Sequence, residues 1–238
     1  MLNINGRRNA ALAVVCAWCV SAASGQYLER RTYEPSLARF VAAGVYAREF
    51  IPRSSNDAPD SLVIRYKCLM PFVMFRQGPV DLTFGYTRYD LGGSSRTALF
   101  MGAVFTNDIP LAGSRESALV LPLLLAADFS KSESAGADRD HFNVGSVGIG
   151  AGLKFRASGD DVDVAFSATG VIHYSFEGYA VRSASSPAFL AEAGALFRRI
   201  PVLEGLALGY RFRLQSWATG GFFDYRTLNH GFYLGVMF

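Results

Sequence analysis

The chain has 238 residues, half of them apolar and 13% aromatic, with only 18% charged. That fits one large domain or one barrel, short of the roughly 25% charge of an average soluble domain. The formal charge of +3 falls near +1 if residues 1–25 are removed, because Arg7 and Arg8 leave without an acid. With no basic run anywhere, nucleic acid is excluded as an expected partner.

In chain order, Met1 to Asn9 carries Arg7 and Arg8, Ala10 to Val20 is unbroken apolar sequence, and Ser21 to Gly25 is small and polar. This layout predicts a cleavable signal peptide over 1–25, cut after Gly25 or after Ala23. The apolar run is too short for a membrane helix, which needs about 20 residues. Cys16 and Cys19 fall inside it, so their C-x-x-C spacing reads as targeting sequence. Cys68 alone would survive processing, which leaves no intramolecular disulfide framework. No cofactor and no metal site is expected.

Residues 26–37 are polar and read as a periplasmic lead-in. Residues 38–238 then resolve into about ten β-like segments: 38–49, 61–75, 79–90, 95–106, 117–129, 144–157, 161–176, 187–198, 204–216 and 229–238. Merging or splitting 79–106 would give eight or twelve. Alternation decides the type. In 204–216, Leu206, Leu208, Tyr210, Phe212 and Leu214 oppose Ala207, Gly209, Arg211, Arg213 and Gln215. In 161–176, Val162, Val164, Phe166, Ala168, Ile172 and Tyr174 oppose Asp163, Ser167, Thr169, His173 and Ser175. In 79–90, Val80, Leu82, Phe84 and Tyr86 oppose Asp81, Thr83, Gly85 and Thr87. In 61–75, Leu62, Ile64, Tyr66, Met70, Phe72 and Met74 oppose a mixed face with Arg65 and Lys67.

A soluble sandwich alternates too, but these segments exceed its usual 5–6 residues and suit the 9–11 of a tilted membrane strand. The expected fold is therefore all-β, a transmembrane antiparallel up-and-down barrel. Its polar rows face inward, so Arg65, Lys67, Asp81, Lys154, Asp163, Glu192, Arg211 and Arg213 are expected to pair across the lumen. Phe40, Phe72, Tyr89, Phe129, Tyr174 and Phe197, near strand ends, are expected in the interfacial girdles. Connections near 76–78, 158–160 and 199–203 are short, whereas 50–60, 130–143, 177–186 and 217–228 are long. Tight turns would then face the periplasm with both mature termini. Two joints break that rule: 91–94 is brief where a long loop is due, and 107–116 is long where a turn is due.

The last segment alternates Phe232, Leu234, Val236 and Phe238 with Gly231, Tyr233, Gly235 and Met237. A final strand ending on Phe resembles the assembly signal of bacterial outer-membrane β-barrels. The resemblance implies the outer membrane as location and the barrel-assembly machinery as a partner during biogenesis. It also implies outer-membrane lipid and lipopolysaccharide as surroundings, and a monomeric protein. Ile172-His173-Tyr174-Ser175 resembles the His-x-Ser motif of outer-membrane lipid A deacylases, with Glu177 on the same face as a candidate acid. That family continues with Asn where Phe176 stands here. Ten strands are also similar to the omptin proteases, whose paired acidic and Asp-His elements are not placed here. Asp138-Arg139-Asp140-His141 reads as a solvated loop against a metal site. Gly145 to Gly152 reads as strand packing, because no Lys-Ser or Lys-Thr follows for a phosphate loop.

Three functions follow from the sequence. The first is a structural or surface-interaction barrel acting through its outer loops. The second is a small channel for small or hydrophobic solutes. The third is a lipid A hydrolase using His173 and Ser175. The inward parity of His173 and Ser175 points away from catalysis in the outer leaflet, so no catalytic residue is assigned.

Overall fold

The computed structural model describes residues 39–55, 65–114, 116–133, 141–176, 184–200, 203–217 and 223–238. The expected signal peptide and lead-in lie outside these residues, as do Glu177 and the Asp138-Arg139-Asp140 segment. The described residues form ten strands: β1 Arg39–Ser55, β2 Tyr66–Gln77, β3 Val80–Leu91, β4 Ser94–Gly113, β5 Ser117–Glu133, β6 His141–Ser158, β7 Val162–Phe176, β8 Ala184–Arg198, β9 Gly205–Trp217 and β10 Phe223–Met237. Each strand pairs antiparallel with its sequence neighbours, and β1 pairs with β10 to close the ring. That closing ladder runs from Phe40 opposite Met237 to Ser55 opposite Phe223. A closed sheet has no free edge, so its backbone groups are satisfied without water.

The expected strand count is the one observed, but β1, β4, β5, β6, β8 and β10 run longer than the sequence reading had them. The segment 107–116, expected as a long connection, is mostly strand. The β4–β5 ladder continues to Gly113 opposite Ala118, with one register shift between Pro110 and Ala112. Only a tight turn remains there, so the irregularity in loop alternation disappears at that joint. Pro110, Gly113 and Ser114 look like loop chemistry in sequence, and the shift absorbs them. At 91–94 the brief connection is real. Leu91 pairs with Ser94 across Gly92 and Gly93, whose φ angles are 61° and 76°. Two consecutive left-handed residues are what the commonest two-residue hairpin requires, and glycine adopts them without strain.

The outward rows are apolar around the ring. Leu208 on β9, Phe166 and Ile172 on β7, Ile149 and Leu153 on β6, and Leu82 and Phe84 on β3 are all exposed. On β10, Phe232 is 67% exposed whereas its neighbour Tyr233 is 3% exposed. A soluble domain does not present an apolar surface of this extent to water. The inward rows meet one another across the lumen, and that is where the core sits.

Parity corrects the sequence reading in two places. On β2 the apolar row Tyr66, Met70, Phe72 and Met74 points inward and is buried. Lys67 therefore lies on the outer surface, its side chain 71% exposed and paired with Glu49 at 2.9 Å. Arg65 is exposed beside the start of the same strand. Neither belongs to the lumen. Phe40, Phe72 and Tyr89, expected in the girdles, are buried inside instead, whereas Tyr174 and Phe197 do face outward.

Candidate functional site: a filled lumen

Among the described residues, side chains meet across the lumen at several levels between its two rims. The rim carrying Arg39 and Phe238 is called here the terminal rim, and the opposite one the loop rim. Near the terminal rim, Lys154 of β6 donates to Asp108 of β4 at 2.6 Å, and Arg198 of β8 pairs with Asp163 of β7.

Above these pairs lies a network joining opposite walls. Arg76 of β2 donates to Asp81 of β3 at 2.5 and 3.0 Å, and also reaches Glu192 of β8 at 2.8 and 2.9 Å. Arg211 of β9 bonds Thr83 at 3.0 Å and lies 3.3 Å from Glu192. The Tyr233 hydroxyl donates to Glu192 at 2.9 Å. Glu192 therefore accepts from the Arg76 guanidinium and a phenol and lies within ion-pair distance of Arg211, the kind of satisfaction that a buried carboxylate needs. Such pairs offset a desolvation cost of several kcal/mol per ion only with geometry this complete.

A second network occupies the middle. Arg213 of β9 grips Asp128 of β5 with both guanidinium arms, one of them at 3.0 Å, and donates to Gln215 at 2.7 Å. Its guanidinium also lies 5.2 Å from the ring centre of Phe100. His173 Nδ1 is 3.3 Å from Asp128 and 3.3 Å from the Ser146 hydroxyl. Gly148 of β6 makes room for this ring, since a Cβ there would lie 2.8 Å from His173 Cγ. The Nε2 atoms of His173 and Gln215 are buried with no hydrogen-bond partner among the described residues.

Toward the loop rim, Arg48 of β1 donates to Tyr66 at 3.0 Å, Ser130 at 2.9 Å and Asn229 at 3.2 Å. It thereby ties β1, β2, β5 and β10 together. Aromatic rings then cluster across the mouth. Phe50 packs on Tyr66, Phe142 and Tyr225, Phe142 meets Trp217 edge-on, and Tyr66 stacks on Tyr89 at 3.9 Å. Tyr89 also donates to the Glu133 carbonyl.

Of the residues expected in the lumen, Asp81, Lys154, Asp163, Glu192, Arg211 and Arg213 face it. His173 and Ser175 face it too, but the structure does not bring them together. Ser175 is buried with its hydroxyl 2.9 Å from that of Ser186 on β8, and His173 is held by Asp128 and Ser146. Among the described residues no group of three potential ligands is placed to hold a metal ion. Arg48, Arg76, Asp108, Asp128 and Tyr233 were missed by sequence reasoning. The alternating row Ala126, Asp128, Ser130, Ser132 could have revealed Asp128, and the row Phe40, Ala42, Tyr46, Arg48 could have revealed Arg48.

No family model and no curated protein matches the chain. Among solved structures, it is similar to a FadL homologue of Pseudomonas aeruginosa at 8% identity and a TM-score of 0.23. It is also similar to the toluene transporter TbuX of Ralstonia pickettii, at 8% identity and a TM-score of 0.22. Each alignment covers 84% of this chain and 90% of the other. Both likenesses are too slight to bear on function.

Proposed function

We propose that this chain is a bacterial outer-membrane barrel with a blocked lumen, serving a structural or surface-interaction role through the segments beyond its loop rim. The observation that carries the reading is the pairing of an apolar outer wall with an interior crossed by ion networks and aromatic rings. Lipid suits the outer wall, because only closed barrels and helices satisfy their backbone in hydrocarbon. A ten-strand ring lies close to the size that side chains alone can fill. The loop rim then faces outward and the terminal rim faces the periplasm, with residues 1–25 removed on export. In a barrel whose lumen is crossed by these networks, what the surroundings meet is its rim and its wall.

Two measurements test this. An unheated sample should migrate faster on a denaturing gel than a heated one and resist protease in detergent micelles. A single heat-independent band with ready solubility in plain buffer would remove the membrane reading. Planar bilayers containing the protein should show no steady single-pore conductance, and a reproducible open level would replace the blocked barrel with a channel.

A further inference from the structure

The ring has a weak seam between β2 and β3. β2 and β3 pair only from Phe72 opposite Gly85 to Gln77 opposite Val80. Beyond that point Tyr66–Pro71 and Tyr86–Leu91 are not laddered to each other. Both halves remain fully paired on their other sides, β2 to β1 and β3 to β4. Pairing stops at Pro71, which has no N–H to offer a ladder. Side chains bridge the gap instead. The Thr87 hydroxyl donates to the Leu69 carbonyl at 2.8 Å, and the Tyr66 and Tyr89 rings stack behind it.

The seam also adjoins an apolar part of the lumen. Between Tyr66 and Arg76 the inward row of β2 is Cys68, Met70, Phe72 and Met74, and Gly85 stands opposite on β3. Met70 lies over Gly85, where an added Cβ would be 2.9 Å from its sulfur. An unbranched thioether is the side chain most easily moved aside for a guest. On the outer surface the seam is flanked by Leu69, which is 69% exposed, and by Val73, Phe84 and Tyr86. Lys67 and Arg88 stand exposed above it, with Glu49 and Asp90 alongside. That rim is mixed in charge, so recognition falls to the apolar gap below.

We propose that the β2–β3 seam is a side window in the barrel wall that accepts one acyl chain of an outer-leaflet lipid, seated between Pro71 and Tyr86 and displacing Met70 from Gly85. The occupant follows from the surroundings: the gap opens onto hydrocarbon, is lined by apolar groups on both sides of the wall, and is held shut by side-chain contacts alone. This inference rests on the outer-membrane reading above.

Cys68, half-buried and inward-facing beside the seam, reports on access. The full chain is reconstituted into phosphatidylcholine–phosphatidylglycerol vesicles containing N-hexadecylmaleimide, and alkylation is followed on the Cys68 peptide by mass. Alkylation needs contact with the thiol, so a chain entering the window should label Cys68 about ten-fold faster than Ala126→Cys, an inward position in a fully paired wall, made with Cys68→Ser. Gly85→Leu should slow Cys68 labelling by at least about five-fold by filling the space that the guest needs, and Gly85→Ala, a milder change, should slow it less. Equal rates at Cys68 and Ala126→Cys would overturn the window. So would an unchanged rate in a glycine variant that keeps its heat-shifted gel migration, or equally fast labelling by a water-soluble sulfonated maleimide. Loss of the heat shift in the unmodified chain would instead remove the membrane reading itself.

Discussion

Strands β9 and β2 carry equal numbers of aromatics, yet they use their two faces differently. On β9 the outward row is Leu206, Leu208, Tyr210, Phe212 and Leu214, and the inward row holds Arg211, Arg213 and Gln215. On β2 both rows are apolar through the middle, Met70, Phe72 and Met74 inside against Leu69, Val73 and Phe75 outside. Only Arg76, near the terminal rim, brings charge into the lumen from β2. β9 is therefore fixed to its neighbours and across the lumen by charge-assisted bonds, whereas β2, apart from Arg76, is fixed by packing and by its ladders to β1 and the start of β3. A barrel interior need not be uniformly polar; it must be filled and satisfied, and rings and thioethers fill it as well as ion pairs do.

The comparison can be broken from either side. The largest effect is expected at Asp128→Ala. It leaves Arg213 buried without its carboxylate, and stability in urea titrations of vesicle-embedded protein should fall by about 3–5 kcal/mol. An unchanged midpoint would mean that water replaces the carboxylate and that the lumen is wetter than its burial implies. Next comes the wall. Leu208→Arg on β9 and Val73→Arg on β2 should each cost about 2–4 kcal/mol near the bilayer midplane, because both rows face lipid whatever lies behind them. A markedly smaller cost at Val73 would show that β2, and not only its seam, is exposed to water. Tyr233→Phe removes one donor to Glu192, which keeps both guanidiniums, and should cost about 1 kcal/mol by the same titration. The smallest effect belongs to Lys67→Gln. Its ion pair with Glu49 is exposed, and the loss should stay below about 1 kcal/mol and vanish at high salt.

The same two strands show what a sequence can and cannot reveal. On β9 hydrophobicity and charge alternate together, so the inward face is legible from residue types alone. On β2 the alternation sets Tyr66, Met70, Phe72 and Met74 against Lys67, and the polar residue marks the wrong face. Lys67 sits where the wall meets its polar surroundings, and the apolar row turns inward because rings from β1 wait to meet it. Phe72 stacks on Tyr46 at 4.0 Å. Nothing within β2 records that. Partners were equally illegible: Arg76 and Glu192 are 116 residues apart, and only closure of the ring brings them together. The inward turn of His173 and Ser175 was readable by parity. That His173 would take Asp128, and Ser175 would take Ser186, was not, because those partners come from other strands. The 107–116 joint was misread because Pro110 and Gly113 are loop residues in most settings, and here one register shift carries them within a strand.

The aromatic closure of the mouth has a practical side. Trp217, the one tryptophan among the described residues, lies edge-on to Phe142 and donates its indole N–H to Thr227 at 3.2 Å. Its emission should be blue-shifted while the mouth is shut and move to the red when water reaches it. The protein thus carries its own optical gauge, positioned to register opening of the mouth separately from unfolding of the wall.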